Sequence, residues 1–104
     1  MANDLTFRKA NTGNLMKINL LLPKVSKLYG SSHPEILEVQ KVFEMMKKKT
    51  MAAMMGRTGN PELNEEFTSL REITNNYTVP DDVNENFATV YKAFEEVNKV
   101  YQTL

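Results

Sequence analysis

Val83-Asn-Glu-Asn-Phe87-Ala-Thr-Val90-Tyr-Lys-Ala-Phe94-Glu-Glu-Val97-Asn-Lys-Val-Tyr101-Gln-Thr-Leu104 closes the chain with apolar residues that alternate steps of four and three. That spacing puts Val83, Phe87, Val90, Phe94, Val97, Tyr101 and Leu104 on one stripe of an α-helix. A helix with one apolar face is stable only when other elements cover that face. The segments upstream must therefore supply the matching faces, and their periodicity decides the fold class.

Three upstream segments also have helical period. Asn60-Pro61-Glu62 reads as cap, proline and acid, opening a third helix with Leu63, Phe67, Leu70, Thr74 and Tyr77 on its core face. That helix ends near Asn75–Asn76, and the turn Thr78–Asp82 launches the last one. The second opens at Ser32-His33-Pro34-Glu35, with Ser32 or His33 as cap, and Ile36, Val39, Phe43, Met46, Thr50 and Ala53 as its inner stripe. Lys47–Lys49 suit its later turns, and Gly56 stops it. The first runs from Asn14, read as its cap, to Tyr29, through Leu15, Ile18, Leu22 and Val25. Pro23 predicts a kink or break near Asn19–Leu22, and Gly30 predicts a left-handed stop. Residues 1–13 are either a loose arm or a short helix, with Leu5 and Phe7 available to dock. No segment alternates with period two. The expectation is an all-α, antiparallel up-down four-helix bundle in one domain spanning 1–104.

Composition narrows the chemistry. The 104 residues include no cysteine and one histidine, His33. A disulfide framework and a thiolate zinc site are excluded. Met1–Lys9 lacks an apolar core of signal-peptide length, and the longest apolar run is Leu20–Leu22, so a cytoplasmic protein without membrane association is expected. Net charge is zero but divided: residues 1–57 hold ten basic and four acidic side chains, residues 58–104 three basic and nine acidic. The simpler meaning is attraction between the halves as they pack; the sharper is a basic face for an acidic partner. No nucleic-acid reading motif is present.

Catalytic constellations are missing. His33, in Ser-His-Pro, reads as a capping or turn residue, not as a base beside a nucleophile. Glu35/Glu38 and Glu62/Glu65 compensate helix dipoles and keep faces soluble. Gly56 and Gly59 do not fit a phosphate-binding loop. No enzyme activity is expected. Met45, Met46, Met51, Met54 and Met55 crowd the second helix, and one face cannot bury all five. Core filling is their first reading, a partner or dimer surface the second, and copper(I) binding the third.

Two stretches carry a family likeness. Lys24-Val-Ser-Lys-Leu-Tyr-Gly-Ser-Ser-His-Pro-Glu-Ile-Leu-Glu-Val-Gln-Lys-Val-Phe43 and Leu70-Arg-Glu-Ile-Thr-Asn-Asn-Tyr-Thr-Val-Pro-Asp-Asp82 resemble segments of hemerythrin-like di-iron proteins of the repair-of-iron-centres type. The spacing onward through Phe87, Tyr91 and Phe94 agrees, and the resemblance covers roughly residues 14–104. It implies a four-helix bundle in which inward histidines and glutamates hold two irons, in proteins that help to repair damaged iron–sulfur clusters. Carried over residue by residue, it implies a lost site. The ligand histidines fall on Arg8, Tyr29, Ala53, Asn60 and Leu104, a glutamate on Arg57, and the chain ends before the final glutamate. Arg57 would add positive charge where such a centre needs carboxylates.

The sequence thus predicts a non-catalytic, metal-free relative of that family, with no cofactor, acting as an interaction or regulatory protein. Lys47, Lys48, Lys49, Met51, Met54 and Met55 are the candidate surface, for a protein partner or for homodimerisation. The alternative is a part in iron–sulfur cluster repair or in the response to nitric oxide or oxidative stress.

Overall fold

The final helix begins where a side chain satisfies its first free amides. Asn84 Oδ1 accepts the Phe87 N–H at 3.0 Å, which is the capping bond from one residue outside a helix to its third residue. The computed structural model describes residues 7–56 and 60–103. Five α-helices occur among them: α1 (Phe7–Ala10), α2 (Thr12–Tyr29), α3 (Glu35–Met55), α4 (Asn64–Ile73) and α5 (Glu85–Thr103). The described residues contain no strand, and none of their helices is long and apolar enough to cross a membrane.

The stripes meet in one core. Phe87, Val90, Phe94 and Val97 of α5 are fully buried, joined by Ile18, Leu22 and Val25 of α2, Ile36, Val39, Phe43 and Met46 of α3, and Phe67 and Leu70 of α4. Helix α2 packs most extensively on α5, α3 lies against α4 and α2, and α1 touches both α2 and α5. Phe43 meets Phe94 edge to face, with ring centroids 5.7 Å apart, the arrangement that aromatic quadrupoles favour. Val83 and Tyr101 flank the α5 stripe half-buried; Leu104 lies outside the described residues.

Several boundaries differ from the sequence reading. Helix α2 starts at Thr12, so Asn14 is inside it and caps nothing. It runs through Pro23 without a break, because Asn19 and Pro23 face solvent and water can satisfy the freed carbonyl. Gly30 is right-handed, at φ −56° and ψ −30°. Its requirement for glycine is spatial: a Cβ there would stand 2.7 Å from the Ser26 carbonyl oxygen and 3.3 Å from Leu37 Cδ2. Neither Ser32 nor His33 caps α3 through a side chain; Pro34, already helical at φ −62°, precedes its first residue.

The third helix starts three residues later than its cap-and-proline signature suggests, at Asn64. Asn60 caps a different helix: its Oδ1 accepts the Phe7 N–H at 2.7 Å. Residues 60–63 stay non-helical because the Leu63 N–H donates to Tyr101 Oη at 2.9 Å while the Leu63 side chain is buried. Of the ambiguous N-terminal stretch, Phe7–Ala10 form a short helix, and the Phe7 ring sits 6.3 Å from Phe67 and 5.9 Å from Tyr101; residues 1–6, Leu5 among them, lie outside the described residues. After α4, Asn75, Asn76 and Tyr77 are all left-handed, with φ of 51°, 61° and 63°. Asparagine tolerates this, but a bulky tyrosine there is strained by roughly 1–3 kcal/mol. Tyr77 is held by its N–H donating to Thr74 Oγ1 at 2.8 Å and its hydroxyl donating to Asn98 Oδ1 at 2.7 Å. Arg71 donates to that same Asn98 oxygen at 3.0 Å.

Candidate functional site

Helices α2 and α3 are tied across their shared edge by Lys47 Nζ, which donates to Asn19 Oδ1 at 3.2 Å. Beside that tie, toward α1, the two helices bound an open groove of about 320 Å³. Buried Phe7, Phe43 and Met46 form its base, and Met16, Met51 and Met54 its sides. Those three side methionines are roughly half exposed, at 59%, 58% and 48%. Arg8 and Lys47 contribute the cations. Lys47 Nζ also pairs with Glu44 at 3.1 Å and lies 5.2 Å from the centre of the Phe43 ring, which holds the ammonium at the lip of an apolar trough.

The six candidate residues divide. Lys47, Met51 and Met54 line this groove. Lys48 is exposed on α3 outside the lining, and Met55 is 76% exposed beside the stop at Gly56. Lys49 turns to α4, pairing with Glu66 at 2.8 Å and donating to the Glu62 carbonyl at 3.3 Å. The hydrogen bond it donates to Glu66, reinforced by the charges of Glu66, Glu65 and Glu62, raises its pKa above the usual lysine value. Lys49 is therefore a link between the basic and acidic halves, not part of a continuous basic patch. Core filling accounts for Met46 alone of the five clustered methionines, because 45, 51, 54 and 55 point outward.

The opposite wall of the groove escaped the sequence reading. Thr12, Leu15 and Met16 come from α2 and Arg8 from α1. A signal for it existed: Met16 is an apolar residue one position off the α2 core stripe, and it is exposed. What could not be read was which neighbour it would lie beside.

Two other polar sites serve the fold. His33 Nδ1 lies 3.2 Å from Glu35 Oε2 and Nε2 3.0 Å from Asp82 Oδ1. Its ring packs 5.9 Å from Tyr29 and 5.6 Å from Phe87. The imidazole thus joins the start of α3 to the turn before α5, and only its protonated form can donate to both carboxylates. A recess lined by Asn60, Glu62 and Tyr101 has polar groups already engaged with Phe7, Asn64 and Leu63.

Positions matched to iron ligands do not converge on a donor set. Tyr29 Oη accepts the Asn84 N–H at 2.7 Å, Asn60 is bonded to Phe7, Arg8 lines the groove, and Ala53 offers no side-chain donor. Arg57 and Leu104 lie outside the described residues. No group of three or more His, Cys, Asp or Glu among the described residues could hold a metal ion. These residues do not fit a di-iron centre. No protein-family model matches the chain, and no curated protein or solved structure shows detectable similarity to it.

Proposed function

We propose that this chain is a non-catalytic interaction or regulatory protein, and that the methionine-sided groove between α2 and α3 is the surface that receives its partner. The observation that carries this reading is the placement of Met16, Met51 and Met54, half exposed on both sides of an apolar trough. Exposed methionine costs hydrophobic stabilisation unless something covers it. Its flexible, polarisable side chain adapts to varied apolar surfaces, which is why it recurs at binding faces. In this proposal the scaffold is an antiparallel four-helix bundle related to hemerythrin-like proteins, from which the metal site has been lost. The resemblance of 24–43 and 70–82 to that family supports the relationship, and the chemistry of Tyr29, Ala53 and Asn60 supports the loss.

Affinity capture from cells that make the protein tests this function. A partner should be recovered with the unaltered chain and with Met55→Glu, and lost with Met54→Glu. Equal recovery with all three would remove the groove from the account. The alternative, participation in iron-centre repair with a bound metal, calls for near-stoichiometric iron in protein purified from iron-supplemented culture.

A further inference from the structure

We propose that the occupant of the groove is an acidic amphipathic helix of a partner protein, seated with apolar anchors between the methionines and carboxylates over Arg8 and Lys47. This rests on reading the groove as the partner surface. Charge is the first argument. Residues 7–29 and 45–56, which supply the groove's two sides, contain no acidic residue; they hold Arg8, Lys9, Lys17, Lys24, Lys27, Lys47, Lys48 and Lys49. Glu44 compensates Lys47 in part, and Lys49 is paired with Glu66; the two segments nonetheless carry a positive formal charge.

The distribution of exposed apolar side chains argues against a second copy of the chain as occupant. Among the described residues every exposed large hydrophobic side chain lies on α2 or α3, within the basic half. Docking two copies through these faces would juxtapose like charges. The acidic helices α4 and α5 of a second copy would bring the right charge but no anchors, since Phe67, Leu70, Phe87, Phe94 and Val97 are buried in their own core. The complementary partner must combine both properties in one segment, as an amphipathic helix does.

Shape separates a helix from a small ligand and from a membrane. A small molecule in an open trough would leave the half-exposed methionines partly wet, whereas enclosed ligand clefts bury most of their occupant. A flat anionic bilayer could meet the cations but could not reach the recessed Phe43 and Met46. A third helix lying along α2 and α3 fills the trough and covers its sides. Leucine-type anchors at i, i+3, i+4 and i+7 would face the base, with Glu or Asp flanking them.

The test uses the full chain carrying ¹³C-methyl methionine and three probes. Two are designed peptides of about 18 residues, long enough to form a helix on binding. They share one set of leucine anchors and differ only in Glu or Lys at the flanking positions. The third is a vesicle of phosphatidylcholine and phosphatidylserine. The Glu peptide should shift the Met16, Met51 and Met54 methyl signals and leave Met45 unmoved. Its affinity should fall about tenfold from low to roughly 0.5 M salt, and about tenfold in Arg8→Gln/Lys47→Gln, a milder pair than Arg8→Glu/Lys47→Glu that keeps the fold testable. The Lys peptide should bind at least tenfold more weakly. Equal binding of the two peptides, silence of the methyls at about millimolar Glu peptide, or vesicles shifting the same methyls while the Glu peptide does not, would each overturn the inference. If the peptides fail while capture of a cellular partner still depends on Met54, the acidic helix is wrong and the interaction surface stands. If both fail, both readings fall.

Discussion

Gly30 shows how a residue can be required for a reason its identity does not disclose. Glycine after a helix usually marks a left-handed stop, but here the backbone is right-handed and the constraint is the missing Cβ. Gly30→Ala should destabilise the fold by about 1–3 kcal/mol through crowding against the Ser26 carbonyl and Leu37. Gly30→Asn, which would suit a left-handed position, should do no better; urea unfolding of both variants checks this. Burial acts on the tyrosines. Desolvation pushes the Tyr91 phenol up to about 12, with a smaller push from Glu35, and raises Tyr77 as well. A raised pKa on an acid means that the folded state favours its neutral form. The resulting stabilisation is complete below the ordinary tyrosine value of about 10, and is lost as pH climbs from there toward the folded values. Urea resistance should fall above about pH 10, with Tyr91 phenolate absorbance rising together with unfolding. Ionisation of Tyr91 near pH 10 in a chain that remains folded would contradict the assigned burial.

At the scale of elements, apolar periodicity was legible and boundaries were not. The stripes read from 18–25, 36–46, 67–70 and 87–97 are the core, because a 3.6-residue repeat survives any choice of neighbour. Cap signals depend on what comes near in space. Asn60-Pro61-Glu62 looks like the start of its own helix, yet Asn60 caps α1 fifty-three residues away in sequence. Asn84, unremarked in the sequence, is the cap of α5. Asn84→Ala should therefore cost about 1 kcal/mol, read as a lower urea midpoint, while Asn14→Ala should be close to neutral. Phe94→Ala removes the ring packed on Phe43 and should cost about 3–5 kcal/mol, a large share of the roughly 5–15 kcal/mol a domain of this size possesses. The link between α3 and α4 has its own signature. Glu66 is buried with one carboxylate oxygen on Lys49 and the other without a partner. Lys49→Ala strands that charge and should destabilise more than Lys49→Ala combined with Glu66→Gln; a double-mutant cycle shows whether it does.

For the whole molecule, the division of charge along the chain has two consequences. Lys49–Glu66 joins the basic half to the acidic half as an ion pair. Arg8 and Lys47, also of the basic half, line the groove, where apolar side chains stay exposed. Half of that groove was legible, in the methionine cluster and lysines of α3. The other half depended on α1 and α2 folding against it, which no local pattern reports. In the proposed function, a partner sits in this groove and not on the exposed methionines in general. The most direct measurement replaces single methionines with a photo-crosslinking residue in the full chain and irradiates the producing cells. One protein should be trapped from positions 16, 51 and 54 and not from 45, which is as exposed but lies outside the groove. Trapping that is equal at all four positions, or absent from all of them, would contradict it.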